Sequence, residues 1–270
     1  MRPRRGYADG PFGQVHYQDT GAENAAGPPL ILLHQSPMTS RQYDNVYPLL
    51  AGKGLRAVGI DTAGFGLSDP PPTAPTIEDY ATVVPAVLDH LGLEQVDVLG
   101  HHTGAMIATE VAIQYPERVR RVVLNGPAPL DDEERADYMQ MVEDLEKGFT
   151  HHADGSHLLN LYTRRYDYAG AGTDPELVTR YVIEQLQGFG PFWYGHHAAF
   201  VYDHAETMPN ITQPTMILTN TGDVIFDHAH WSHRIRPDFE LKELEGGTTD
   251  IVDQASEAWV DAVVEFLRRD

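Results

Sequence analysis

Short apolar runs, separated by polar turns rich in glycine and proline, cut most of this chain into strand-length pieces. Leu30-Ile31-Leu32-Leu33, Arg56 to Ile60, Val96 to Leu99, Val119 to Asn125 and Thr215 to Asn220 each read as a buried strand, and Glu240 to Leu244 as a further one. Residues 5–20 read as two short strands around Asp9-Gly10-Pro11, a hairpin signal. Helical patterns fall between the strands. One spans Thr39 to Ala51 and is closed by Gly52. Another begins at Thr76, with Asp79 at the capping-box position, and ends at Leu91 before Gly92. A third starts after Gly104, and an amphipathic helix runs from Ala255 to Arg268. From Gly126 to Pro214 the strand pattern stops, and helices are predicted near Asp131–Lys147, Ser156–Tyr166, Asp174–Gln187 and Phe192–Glu206. Strands alternating with helices predict an α/β fold, a mostly parallel sheet of eight strands wrapped on both faces and interrupted by a helical insertion.

The sharpest strand-to-helix transition is Val96-Asp97-Val98-Leu99-Gly100-His101-His102-Thr103-Gly104-Ala105. Gly100, Gly104 and Ala105 are small, as a turn demands where strand and helix backbones approach closely. The spacing is that of a nucleophile elbow, G-x-S-x-G, whose central residue sits on a strained turn above the sheet. Here the central residue is His102.

Composition narrows the function classes. A chain of 270 residues can bury a large core, and one α/β domain with an insertion accounts for the length. The net charge of -21 argues against nucleic acid and anionic membrane surfaces as partners. The absence of cysteine excludes disulfides, thiolate nucleophiles and Cys-based metal sites. Met1-Arg2-Pro3-Arg4-Arg5 is basic but precedes no apolar run of signal-peptide length, so a cytoplasmic location is expected. No G-x-G-x-x-G follows the first strand, there is no G-K-[ST], and the glycines at 64–66 open no nucleotide-type helix, so no cofactor is expected. In His228-x-His230-x-x-His233 only the last two histidines would share a helix face, and no carboxylate pattern completes a ligand set, so no metal is expected. His151-His152 reads as a solvated loop.

Four landmarks in order give the chain a resemblance to the α/β-hydrolase superfamily over nearly its whole length. His34-Gln35-Ser36-Pro37 resembles the H-G-x-P that follows an early strand. Asp61 to Ser68 resembles the D-x-x-G-x-G-x-S loop. Gly100 to Gly104 occupies the elbow, and Gly222-Asp223 resembles the position of the acidic triad member. The resemblance implies a core of residues 1–126 and 214–270 with a helical cap at 127–213 over the active site. It also exposes two departures from the Ser–acid–His triad: the elbow holds His102, and the loop that carries the family's histidine holds Thr249.

The resemblance further implies an oxyanion hole of two backbone amides, those of Thr103 and Ser36, which survive side-chain change. His102 is then the candidate catalytic group, since an imidazole suits general acid–base work near neutral pH, and Asp223 would orient it. Ser36 could instead be a displaced nucleophile with His34 or His102 as base. Gln35 replaces the usual glycine and either adds a polar contact or packs. Thr249 either bonds Asp223 or is a loop residue. His101 is a further candidate beside the elbow. Within Phe189-Gly190-Pro191-Phe192-Trp193-Tyr194-Gly195-His196-His197, at least one of Trp193, Tyr194 and His197 is expected to face the substrate. The expected partner is a small, largely hydrophobic substrate with a carbonyl-type group, and a homodimer is left open. Hydrolysis of an ester, lactone or similar bond is the first expectation. Cofactor-free lyase, decarboxylase, cyclase or isomerase chemistry is the second, and a silent ligand-binding protein the third.

Overall fold

The computed structural model describes residues 2–23, 25–170 and 173–269; Met1, the head of the basic N-terminal run, lies outside them. Its strands are β1 (Arg4–Gly10), β2 (Gly13–Asp19), β3 (Leu30–Leu33), β4 (Ala57–Ile60), β5 (Val96–His101), β6 (Val119–Asn125), β7 (Thr215–Asn220) and β8 (Glu240–Leu244). They form one eight-stranded sheet in the order β1-β2-β4-β3-β5-β6-β7-β8. The pairs β1·β2 and β2·β4 are antiparallel, and every later pair is parallel. The eight strands match the sequence expectation because each central run is buried on both faces, which only continuous apolar stretches tolerate.

Side-chain alternation assigns the two faces. Leu30 and Leu32 of β3 join Leu99, Val123 and Trp259 in one core cluster, whereas Ile31 and Leu33 join Val98, Leu124 and Met106 in the other. Helices α1 (Tyr47–Gly52), α11 (Ile251–Gln254) and α12 (Ser256–Leu267) cover the first face; α2 (Ile77–Ala81), α3 (Val83–Leu91) and α4 (Thr103–Gln114) cover the second. Burying a Leu or Ile completely is worth roughly 1.5–3 kcal/mol, so these layers hold the sheet rigid beneath the site.

Two predicted helices are broken, each at a proline. Pro85 has no N–H to give the Ala81 carbonyl, so the helix expected over 76–91 splits into α2 and α3, and the Thr82 hydroxyl donates to the Asp79 carbonyl at 2.6 Å. Pro48 likewise separates α1 from a 3-10 turn at Ser40–Tyr43. The capping box at Thr76 and Asp79 forms, and Gly92 closes α3 in the left-handed conformation.

Between β6 and β7 the described residues hold helices and no strand. These are α5 (Asp132–Met141, continued by a π-helical turn at Val142–Lys147), α6 (Ser156–Ala169), α7 (Pro175–Gln187), α8 (Trp193–Val201) and α9 (His204–Thr207). The helix expected over 192–206 ends at Val201, and α9 restarts on a cap in which the Asp203 carboxylate accepts from the Glu206 amide. Helix α10 (Phe226–Ile235) follows β7. No described helix is long and apolar enough to cross a membrane.

Candidate active site

The turn after β5 forces His102 into a backbone conformation that L-residues rarely adopt. Its φ and ψ are 49° and -111°, and it is the only non-glycine with positive φ among the described residues. Such a conformation costs on the order of 1–3 kcal/mol and is kept where the surroundings over-determine it. The glycines around it explain how. A Cβ on Gly100 would lie 1.8 Å from the Gly104 carbonyl oxygen, and one on Gly104 would lie 2.1 Å from the Leu33 carbonyl oxygen. The turn therefore closes only with glycine at both places, and it lifts the His102 ring above the ends of the parallel strands.

That ring reaches across β6 to the loop after β7. His102 Nε2 lies 2.9 Å from Asp223 Oδ2, and a Cβ on Gly126 would lie 2.5 Å from the ring. Gly126 thus leaves room for the imidazole to meet the acid. Burial alone would raise the Asp223 carboxyl, but the facing imidazole and its hydrogen bond outweigh burial and hold it at about 2. An ionised Asp223 can only accept, so it takes the proton of His102 Nε2 and fixes the tautomer. Nδ1 then carries the lone pair, and it forms no hydrogen bond among the described residues. The acid has moved into direct contact with the elbow residue, without the intervening histidine of a Ser–His–acid triad.

The amides expected to form an oxyanion hole are available. The Thr103 N–H is the first of α4, where helix geometry provides no acceptor, and neither it nor the Ser36 N–H finds a partner among the described residues. By contrast, the Gln35 N–H is consumed by Gln42 Oε1 at 3.0 Å. Ser36, Gln35, Thr103, His102 and Thr249 all line one cavity of about 510 Å³. The Ser36 hydroxyl bonds to neither His34 nor His102; it packs against Gly195, where a Cβ would come within 1.9 Å of it.

His34, His101, Trp193, Tyr194 and His197 fall outside that cavity, each for an identifiable reason. His34 is buried beneath it, with Nδ1 at 2.9 Å from the Gln35 carbonyl and Nε2 accepting from the Thr62 amide at 3.0 Å. It pins the loop and does not line the cavity. His101 faces away from the cavity and is fully buried, and burial followed by the neighbouring His102 holds its pKa well below the usual value. Trp193, Tyr194 and His197 pack on one another, with ring centroids 4.6 and 5.5 Å from Trp193, and none of the three lines the cavity. Helix α8 presents His196, Ala199 and Phe200 there instead. Those positions follow the i, i+3, i+4 rule of a single helix face, so the periodicity could have found them where aromatic density did not. Thr249 does not bond Asp223: its hydroxyl lies 3.4 Å from the Tyr168 hydroxyl, whose pKa burial pushes up to about 12. Also unforeseen are Tyr168 and Arg165 of α6 and Glu146 of the π-helical turn, all lining the cavity.

His101, His102 and Asp223 bring ligand-type atoms within 4.8 Å of one another, close enough to pose the question of a cation. The Gln35 amide fixes the Gln42 side chain so that its NH2 group donates to His101 Nδ1. His101 therefore carries its proton on Nε2, which has no partner, and offers no free lone pair to a metal. Elsewhere, His228 pairs with Glu134 at 2.9 Å and His230 approaches Glu243 at 3.5 Å, so that motif is spent on separate contacts.

The sequence model of the alpha/beta hydrolase fold matches residues 28–236. Among curated proteins, the chain is 37% identical over 119 residues to haloalkane dehalogenase 2 of Mycobacterium tuberculosis, covering 44% of this chain and 40% of that one. It is 40% identical over 110 residues to 2-hydroxymuconate semialdehyde hydrolase of Pseudomonas sp. CF600, covering 39% and 38%. The matched stretch thus spans about two fifths of the length of these relatives. A hydrolase from Pseudomonas aeruginosa PA01 superimposes with a TM-score of 0.83 at 19% identity, covering 98% of this chain and 99% of that one. The enol-lactonase of Burkholderia xenovorans LB400 gives 0.77 at 20% identity, covering 98% and 100%. At these identities the superpositions speak for the fold alone.

Proposed function

The chain belongs to the alpha/beta hydrolase fold family, and from that premise we propose that it hydrolyses a small, largely apolar ester or lactone with His102 as general base on water. One observation carries this reading: the His102 Nε2 to Asp223 Oδ2 contact of 2.9 Å, which leaves Nδ1 as a basic nitrogen beside two unpartnered amides. In the proposed reaction Nδ1 takes a proton from water as the water oxygen bonds to the substrate carbonyl carbon. The carbonyl electron pair moves to oxygen, where the Ser36 and Thr103 amides receive it. Asp223, kept ionised, stabilises the imidazolium that forms. Collapse of the adduct expels the leaving oxygen and yields the acid.

Direct attack by water is favoured over an acyl-enzyme because no hydroxyl bonds to either cavity-facing imidazole: Ser36 packs on Gly195, and the Thr249 hydroxyl points to Tyr168. Helices α5 to α8 act as a cap in this reading, closing the cavity with Tyr138, Leu161 and Phe200 so that apolar substrates partition in and bulk water stays out.

The test is turnover of a panel of aryl esters and lactones by the wild type and by His102→Ala. General-base catalysis is typically worth about 10²–10⁴-fold, so a loss of that size is expected in the variant. Stopped-flow traces should show no acyl-enzyme burst. Undiminished turnover in His102→Ala removes the assignment.

A further inference from the structure

A second histidine–carboxylate pair lines the same cavity, carried entirely by the helical segment. His196 Nδ1 of α8 lies 2.7 Å from Glu146 Oε1 in the π-helical turn after α5. Both residues line the cavity. Glu146 is buried while its neighbours Glu143, Asp144 and Leu145 are exposed. The widened turn thus points one acid of an acidic stretch inward, and such turns are rare and concentrate at functional sites. Its second oxygen, Oε2, is buried with no partner. A buried carboxylate in that state gains most when the ring opposite is an imidazolium.

We propose that His196, held by Glu146, is the acid that protonates the leaving group, working opposite the base His102. The inference rests on the hydrolytic reading above and names its missing proton donor. The geometry supplies the reason. With Nδ1 turned to Glu146, Nε2 is the ring nitrogen left for the cavity that His196 lines together with Ser36, and the preceding residue, Gly195, packs directly on Ser36, whose amide is offered to the oxyanion. A substrate seated with its carbonyl oxygen at Ser36 and Thr103 therefore has His196 on the cap side and His102 on the core side. As the adduct collapses, the bond from carbon to leaving oxygen breaks. Its electron pair stays on that oxygen, and Nε2 gives up its proton there. His102 has gained one proton from water and His196 has lost one, so the pair resets through solvent and the net reaction is ester plus water to acid plus alcohol.

Burial opposes a charge on His196, but the Glu146 carboxylate and its hydrogen bond outweigh it and raise the pKa above the usual value. The other charged and titratable groups lining this cavity are His102 from the core, Tyr138 from α5, and Arg164, Arg165, Asp167 and Tyr168 from α6, with Asp223 behind His102. Arg165 is paired with Asp250.

Two measurements test the assignment. The first compares His196→Gln with the wild type on a nitrophenyl ester, whose leaving group departs unprotonated, and on the matching alkyl ester, whose leaving group needs a proton. The expected result is a loss of about 10²-fold or more on the alkyl ester and less than about 5-fold on the nitrophenyl ester. Equal losses on both would make His196 a mere support of the Ser36 loop and overturn the proposal, as would no loss on either. The second is independent of any substrate: 15N-histidine NMR of the whole protein should show His196 protonated at pH 7 in the wild type and neutral in Glu146→Gln. A neutral His196 in the wild type overturns the proposal even if esters are turned over. If no ester or lactone is a substrate, the hydrolytic reading fails separately, and the proposed leaving-group role of His196 fails with it, while the NMR still reports the charge of the pair.

Discussion

Two histidine–carboxylate pairs present their imidazoles to the cavity, and they are built in different ways. On the core side, His102 and Asp223 sit on turns at the ends of β5 and β7, with the sheet fixing their separation and a strained backbone fixing the ring. On the helical side, His196 and Glu146 meet because two helices pack and one of them widens into a π turn. The first pair has its acid depressed to about 2, and the second has its histidine raised. On the sheet, turns at two strand ends hold an ionised acid against the Nε2 of the base. Between the helices, a buried carboxylate with an unpartnered oxygen faces an imidazole and favours its charged form. One fold can thus run base and acid chemistry in one cavity by setting the two environments apart.

The sharpest way to break this comparison is to remove the acid from each side in turn. Asp223→Asn is expected to lower kcat by about 10²–10⁴-fold on every ester, because it removes both the orientation of His102 and the charge opposite its imidazolium. Glu146→Gln should cost the same only where the leaving group needs a proton. Steady-state kinetics on paired esters separates the two, and a similar loss for Glu146→Gln on activated esters would erase the distinction.

Gly126→Ala probes the rigidity of the core side. Gly126 has φ +62°, and an added Cβ would lie 2.5 Å from the His102 ring, so the substitution both strains the backbone and displaces the base. Urea denaturation should show a loss of about 1–3 kcal/mol, with activity falling further than the stability loss accounts for. Full activity in this variant would mean that the ring position is not critical.

A third buried carboxylate supplies the contrast that neither pair has, an acid with no histidine. Glu184 on α7 accepts from the Thr39 hydroxyl at 2.9 Å and has Arg180 at 3.4 Å, yet burial outweighs those partners and raises its pKa from 4.5 to about 7. The sign follows directly. A raised carboxyl favours the folded state while it is protonated, so its contribution is full below about pH 4.5 and is lost as pH rises through 7. Glu184→Gln should therefore stabilise the protein by about 2–3 kcal/mol at pH 8 and by little at pH 4.5, read by chemical denaturation at both values.

Asp223 should behave in the opposite sense. Its carboxyl is lowered from 3.8 to about 2, so its contribution is full above about pH 4 and is lost as pH falls through 2. The shift corresponds to about 2 kcal/mol. Comparing the acid unfolding of the wild type with Asp223→Asn should show that slope vanish between those limits. An unchanged slope would mean that His102 does not hold the acid.

How far all this could be read in advance differs by region. The central strands β3 to β7 were legible because each run is short, almost wholly buried and punctuated by glycine, proline or polar residues, so its length alone argues for a strand. The elbow was legible because steric closure demands Gly100 and Gly104 whatever stands between them. Helix ends were less so: Pro48 and Pro85 were in plain view, yet the helical periodicity around them ran on, and only the missing N–H decided the breaks. In the helical segment, the density of aromatic residues at 189–197 pointed to the right helix and the wrong face. Tyr194 and His197 pack edge-to-face against Trp193, while His196, Ala199 and Phe200 meet the cavity.

The sequence by itself determined that this chain folds as a wrapped parallel sheet and that a histidine stands at its tightest turn, because burial period and backbone sterics are local properties that residue order encodes. Only the tertiary structure decided what that histidine does. His102 lies 121 residues from Asp223, and Glu146 lies 50 from His196. Whether an imidazole is a base, a donor or a buried spacer like His101 depends on which carboxylate or amide the fold carries to within about 3 Å of it.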